Sequence, residues 1–309
     1  SFTLLEATYL ERAKLRFEPT DYISFGLADK EGFLTNAGRL LTDQHIVYNS
    51  RIFCTRWNGL DKGSIFDDAV DDKEYEGNLI YLLKSGTEFV RNNSKVRFEK
   101  KAQYRVDKPD YSERAVTEAL VNALIHRDYL VMGSEVHIDM YDDRLEIYSP
   151  GGMYRGKPIQ ECGLDEIDSV RRNPVIADLF HRMKFMERRG SGIKKILDET
   201  AKLPGYTEEL KPTFHSTHSS FFVTLKNMNY SSPSLSDQDT DQDTDQVVTK
   251  MILEFCVEPR SKREICDHLG FNNLTYFTRT YLNPLLETGK LLRTIPDKPS
   301  SKNQKYVRA

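Results

Sequence analysis

Between Glu113 and Tyr129 apolar positions recur at helical spacing. Val116, Ala119, Leu120, Ala123 and Leu124 turn toward a core, while Glu118, Asn122 and His126, four apart, share one row. Asp110 is the expected cap of this helix, with Glu113 three residues later completing a capping box. Upstream, residues 1–30 read mainly as helix, Thr35–Leu41 as a short helix, and RIFCTRW (51–57) as a strand. Glu74–Arg91 has helical spacing through Leu79, Leu82, Leu83 and Phe89, and residues 96–105 look extended. Downstream, VHIDMY and RLEIY alternate on either side of an Asp142-Asp143 turn, the pattern of a hairpin, and SPGGM ends it. Asn173-Pro174 and Gly190-Ser191-Gly192 open two further helices, and SSFFVTLKN closes the run as a strand. Strands and helices mixed in this order predict an α+β fold.

The pattern stops at SSPSLSDQDTDQDTDQ, residues 231–246, which has almost no apolar side chain and reads as a disordered acidic linker. Beyond it, residues 247–309 carry 11 Lys/Arg against 6 Asp/Glu, a balance of 11 − 6 = +5. VVTKMILEFC, SKREICDHLG (capped by Ser261, stopped at Gly270) and NNLTYFTRTYLNPLLETGKL read as three helices. LLRTI and QKYVR then flank a DKPSSKN tip. Three short helices and a hairpin make a winged helix-turn-helix. Thr275, Tyr276, Arg279 and Thr280 are its candidates for the major groove of double-stranded DNA or the adjacent phosphates, and Lys298, Lys302 and Lys305 its candidates for phosphates on the wing. A winged helix used for protein contacts is the competing reading.

Composition narrows the class. With 39% hydrophobic and 29% charged residues the chain is an ordinary globular one, and a net charge of -3 excludes a uniformly basic nucleic-acid coat. No apolar run approaches membrane-helix length, and the N-terminal SFTLLEATYLERAKLRF lacks the pattern of a signal peptide. The first residue is not Met, so a piece of a longer protein is expected. Cys54, Cys162, Cys256 and Cys266 lie far apart without a Cys-x-x-Cys pair. That argues against a structural zinc site and for thiols in the cytoplasm.

Glu118 and Asn122 are the candidate chemistry. A carboxylate can take a proton from water and an amide oxygen is a hard ligand for Mg²⁺, although the same row also suits a solvated helix face. Two glycine pairs follow, Gly151-Gly152 after a strand and Gly190-x-Gly192 at a helix start, where backbone can approach phosphate oxygens. His126, Arg127 and Asp128 either meet phosphates or form a structural end to the helix, an Arg127–Asp128 ion pair with His126 as cap. Arg188 and Arg189 carry the same ambiguity.

The segments EALVNALIHRDY, DDRLEIYSPGGM, SVRRNPVIADLF and ERRGSGIKKI, in this order, resemble the divergent ATPase module of the gyrase, histidine-kinase and mismatch-repair (GHKL) superfamily. Within it they resemble the bacterial transcriptional regulators often labelled helicase-related. The similarity runs from about Leu34 to residue 225. The resemblance implies a two-layer α/β sandwich body with a small winged-helix domain after it. Residues 1–100 would form an N-terminal α/β part, often preceded in that group by a Schlafen-type AlbA-like domain. Residues 101–230 would form the ATP-binding module, 231–246 the linker and 247–309 the winged helix. It implies Glu118 as general base, Asn122 as Mg²⁺ ligand, and Gly151 and Gly152 in the adenine-side loop. Gly190, Ser191 and Gly192 would form the phosphate loop beyond a lid of roughly residues 152–189, with Arg172 and Asn173, beside Arg171, at the phosphates or the neighbouring protomer. Ser149 stands where the group usually has an aspartate that accepts the adenine amino group. A hydroxyl accepts there without charge and with shorter reach. ATP and Mg²⁺ are the implied cofactors and a homodimer the implied assembly. Three functions fit these residues: a DNA-binding transcriptional regulator that senses ATP, a slow ATPase in DNA processing, and a scaffold that has lost nucleotide binding. The flexible acidic tether favours the first. A translocating helicase does not fit, because no Walker lysine loop occurs.

Overall fold

Alternation of apolar residues decides which side of the main sheet is buried. The computed structural model describes the chain apart from residues 64, 66, 67, 102, 103, 155, 156, 164–169, 188–191, 231–241, 270–276, 297–300, 302 and 303, and apart from the side chains of 242–247 and 279. It divides into two units, Ser1–Tyr230 and Ser231–Ala309.

The first unit runs α1 (Thr3–Ala13), α2 (Asp21–Ser24), α3 (Asn36–Leu40), β1 (Arg51–Trp57), β2 (Ala69–Glu76), α4 (Leu79–Asn92), β3 (Val96–Lys100), β4 (Arg105–Pro109), α5 (Glu113–Ile125), β5 (Val136–Met140), β6 (Arg144–Pro150), α6 (Pro174–Arg182), α7 (Gly192–Ala201), β7 (Thr213–Ser216) and β8 (Ser220–Lys226). Six strands form one sheet in the order β2-β1-β5-β6-β8-β7, parallel only between β1 and β5. Ile52 and Cys54 of β1, Ile138 of β5, Leu145 and Ile147 of β6, and Val223 and Leu225 of β8 enter one core with α4, α5, α6 and α7. Period-2 alternation puts Ser149 on the same side as Leu145 and Ile147, facing the helices. This is an α+β fold, as the alternating and helical runs predict.

Several boundaries differ from the sequence reading. Ser112, not Asp110, caps α5, its hydroxyl oxygen accepting the Ala115 N–H at 3.3 Å. Asp110 instead accepts the Lys95 N–H at 2.7 Å and the Asn229 amide at 2.9 Å, pinning the root of the β3–β4 ribbon. Residues 74–76 belong to β2, and α4 begins only after the Asn78 cap. The first 30 residues are helical only in α1 and α2. Inside the stretch expected to be a lid, α6 buries Ile176, Ala177, Leu179 and Phe180 in the core, so that part is a packed helix and not a cover.

The second unit contains α8 (Gln242–Phe255), β9 (Arg260–Ser261), α9 (Lys262–His268), a π-helical turn over Thr278–Leu282, α10 (Asn283–Glu287), β10 (Leu291–Arg293) and β11 (Lys305–Arg308). Ser261 and Glu264 form a complete capping box at α9. β10, β11 and β9 pair in that order around a small core containing Ile252, Ile265, Phe277 and Leu282. α8 starts inside the stretch read as linker; residues 231–241 of that stretch lie outside the described residues. No helix among the described residues is long and apolar enough to cross a membrane.

Candidate functional site

α5 forms one wall of a cavity of about 150 Å³, β6 and β8 its floor, and the start of α7 its rim. Glu118, Asn122, His126, Ser149, Gly151, Gly152, Arg172 and Gly192 all line it, beside Ile147, Met153, Phe214, Phe221 and Val223. One helical row, one strand face and one helix terminus, separated by up to 74 residues in sequence (192 − 118), therefore converge.

Glu118 is only 4% exposed, and its carboxylate meets Lys195 Nζ of α7 at 3.0 Å. Lys195 was not singled out from sequence, although it lies three residues after Gly192 and so on the same helix face. Gly192 sits against both key side chains. A Cβ there would stand 2.7 Å from Asn122 Nδ2 and 3.0 Å from Glu118 Oε1, so the absent side chain is the space in which acid and amide lie. Gly190 and Ser191, the rest of the expected phosphate loop, lie outside the described residues.

Ser149 donates its proton to the Ala123 carbonyl at 2.7 Å, which leaves oxygen lone pairs as what it offers the cavity. Gly151 adopts φ +98, and a Cβ there would come 2.8 Å from Asp128 Cβ. At Gly152 it would come 2.1 Å from the Thr217 carbonyl oxygen. The Gly151 N–H goes to Ser219 O at 2.7 Å, so this glycine shapes the wall and offers no donor. Arg172 reaches Asp128 at 2.8 Å and the Gly152 carbonyl at 2.8 Å, while its Nε is buried without a partner.

Asn173 is not a cavity residue. Its amide donates to Ile125 O at 2.7 Å and Arg127 O at 2.8 Å, closing the end of α5 where helix carbonyls lack partners. The expected Arg127–Asp128 pair is also corrected: Asp128 pairs with Arg172, and Arg127, 0% exposed, donates to the carbonyls of Asn49 and Ser134. His126 does take the C-cap position. Of the DNA-contact candidates, Thr275, Tyr276, Lys298 and Lys302 lie outside the described residues, as does the Arg279 side chain. Thr280 is half-buried and Lys305 is exposed on β11.

His126 supplies a pH test. Burial, then the charges of Arg172 and Arg171, push it down from 6.5 to about 4. The folded form thus stays neutral where the unfolded chain takes up a proton, so stability is complete above pH 6.5 and is lost as pH falls toward 4, by up to about 3 kcal/mol. Urea unfolding at pH 7 and pH 4.5 should show this loss in the wild type and a clearly smaller one in His126→Gln. Equal losses would mean that another group carries the titration.

Residues 133–225 match a family model described as "Putative ATP-dependent DNA helicase recG C-terminal", and residues 245–308 match one described as the C-terminal domain of filamentation induced by cAMP protein Fic-like. The first match begins after α5, so Glu118 and Asn122 precede it. No curated protein matches the chain. Among solved structures, the DIP2311 protein from Corynebacterium diphtheriae is similar with a TM-score of 0.60 and 17% identity, over 99% of this chain and 61% of that one. The chain therefore spans about three-fifths of the length of that relative, and at this identity the likeness is one of fold. The family matches make residues 133–225 similar to an ATPase-like module of GHKL type and residues 245–308 similar to the Fic-like tail.

Proposed function

We propose that the chain is a DNA-binding transcriptional regulator whose first unit senses ATP with Mg²⁺. The observation that carries this reading is the convergence of Glu118, Asn122 and Gly192 on one cavity. The residues suit such a ligand. Arg172 keeps a buried N–H without an acceptor on the cavity wall, Gly192 brings the N-terminus of a ten-residue helix to Asn122, and Phe214, Phe221 and Ile147 offer apolar surface for a base. Ser149, its proton already donated, can only accept from the cavity side, which suits an amino group such as that of adenine. No cluster of three His, Cys, Asp or Glu that could hold a metal occurs among the described residues. Mg²⁺ would rest on the Asn122 oxygen, with phosphate and water completing its shell. Bound there, the ion would neutralise phosphate charge.

The Lys195 contact favours sensing over turnover, since it occupies the carboxylate that would otherwise polarise water. The +5 tail with its three helical segments and hairpin supports a winged helix on double-stranded DNA, and nucleotide bridging two protomers would change the spacing of two such tails. Calorimetric titration of ATP with Mg²⁺ should give a saturable binding curve for the wild type and an affinity at least roughly tenfold weaker for Asn122→Ala. Identical flat traces for both would leave the scaffold reading standing instead.

A further inference from the structure

The β3–β4 ribbon belongs to neither site above. It forms a two-stranded sheet of its own, outside the six-stranded one. Such a pair is marginal in water unless something supports or covers it. Among the described residues, the hydrogen bonds that tie it to the rest of the unit lie at the root, where Asp110 holds the Lys95 N–H and Asn229 donates to the Lys108 carbonyl at 2.8 Å. Further out Val96 is 59%, Phe98 56% and Tyr104 65% exposed.

Charge on the ribbon runs against that of the chain. Residues 95–108 hold six Lys/Arg and two Asp/Glu, a balance of 6 − 2 = +4 in a protein of net charge -3. Glu99 is shared by Lys101 and Lys108, and Arg105 pairs with Asp107 while lying 5.2 Å over the Phe98 ring. Lys95, Arg97 and Lys100 are exposed and make no ion pair with the described residues. The register places Val96, Phe98, Lys100 and Arg105 on one face and Arg97, Glu99, Val106 and Lys108 on the other. Cations thus stand on both faces, and aromatic rings lie among them.

We propose that this ribbon is a nucleic-acid-binding arm of the first unit, its cations on phosphates and Phe98 and Tyr104 against bases or sugars. A purely solvated ribbon would not expose three large apolar side chains between its charges. Val96 and Phe98 share one face, but Lys100, Arg105 and Asp107 stand on it too, so it is not the continuous apolar face that a membrane-lying ribbon would need. Two-stranded ribbons fit the major groove of a duplex, while exposed rings flanked by cations suit unstacked bases of a single strand. The inference is independent of nucleotide binding in the cavity and adds a second nucleic-acid contact to the one proposed for the tail.

The test uses the full chain and fluorescence anisotropy with labelled 20-mer duplex and single-stranded DNA across a salt series, the probe length being about that of a small-protein footprint. Arg97→Glu/Lys100→Glu should lower affinity about tenfold or more for the preferred form and flatten the log-affinity against log-salt slope by about two. Phe98→Ala/Tyr104→Ala should lower affinity roughly thirtyfold or more where both rings stack on bases, with the salt slope kept. Whichever DNA form loses more identifies the ligand. Unchanged affinity in both ribbon variants, with a loss in Lys305→Glu/Arg308→Glu of the tail, would overturn the ribbon while leaving the tail reading intact. Binding of the wild type to phosphatidylserine vesicles but to neither DNA would overturn it in favour of a membrane contact. Because the substitutions are exposed, unchanged melting temperatures are the control for folding.

Discussion

Arg127→Met should lose about 2 kcal/mol of stability, a fall of roughly 4–8 °C in melting temperature for a unit of this size. The guanidinium is fully buried and makes no ion pair with a carboxylate among the described residues. It donates to Asn49 O and Ser134 O and lies 4.9 Å over the Tyr129 ring. Burial lowers its pKa, the sign expected of a cation taken out of water. Methionine fills much of the volume and relieves that desolvation, but it takes the donor from the half-buried Ser134 carbonyl and leaves Asn49 O with the Arg51 N–H at 3.0 Å alone, a loss of about 1–3 kcal/mol in all. The second term wins because the Ser134 carbonyl remains in place when the charge is gone. Asn49 also donates to Tyr129 O and Val131 O, so the loops before β1 and after α5 are tied together at this point. Arg127→Lys keeps the charge but not the fork and should fall between wild type and Met. Urea unfolding followed by circular dichroism decides it. A Met variant within 0.5 kcal/mol of wild type would show that the two loops do not depend on this side chain.

That tie explains which parts of the fold were legible. α3, with Thr35 accepting the Gly38 N–H, and the β5–β6 hairpin follow from signals a few residues long. β2 was missed because AVDDKEYE has almost no apolar alternation. It is an edge strand, held by its ladder to β1 and half exposed. β7 has only four residues. The cap of α5 was misplaced because Asp110 and Ser112 are both good cap residues, and the choice rests on Lys95 and Asn229, which are distant in sequence. At the cavity the Glu118/Asn122 row was readable from the helical period, and Ser149 from the resemblance, which places it where the group usually has an aspartate. The Asp128–Arg172 pair, 44 residues apart, was not, nor was the capping of α5 by Asn173, because only the folded chain brings those groups together.

Gly192→Ala should leave the fold nearly as stable as before while weakening ATP–Mg²⁺ binding at least tenfold. Alanine is the better helix former at the start of α7, which favours the variant by up to about 1 kcal/mol. Against this, the new Cβ would press on Asn122 Nδ2 at 2.7 Å, on Glu118 Oε1 at 3.0 Å and on Asn122 Oδ1 at 3.2 Å. These atoms are side-chain ends that can rotate away, so the cost to folding is small. The contrast is Gly152→Ala, where a Cβ meets the Thr217 carbonyl at 2.1 Å and the backbone itself must move. For Asn122, however, rotation removes the oxygen from the place where the proposed ion would rest, and for Glu118 it strains the contact with Lys195 at 3.0 Å. Binding and stability should therefore separate in this one variant. Calorimetry beside thermal melting reads both quantities. If affinity is retained at an unchanged melting temperature, the ligand does not depend on the Asn122–Gly192 contact. The phosphates would then have to lie elsewhere along the cavity, toward Arg172 and Tyr154, which stack at 5.2 Å.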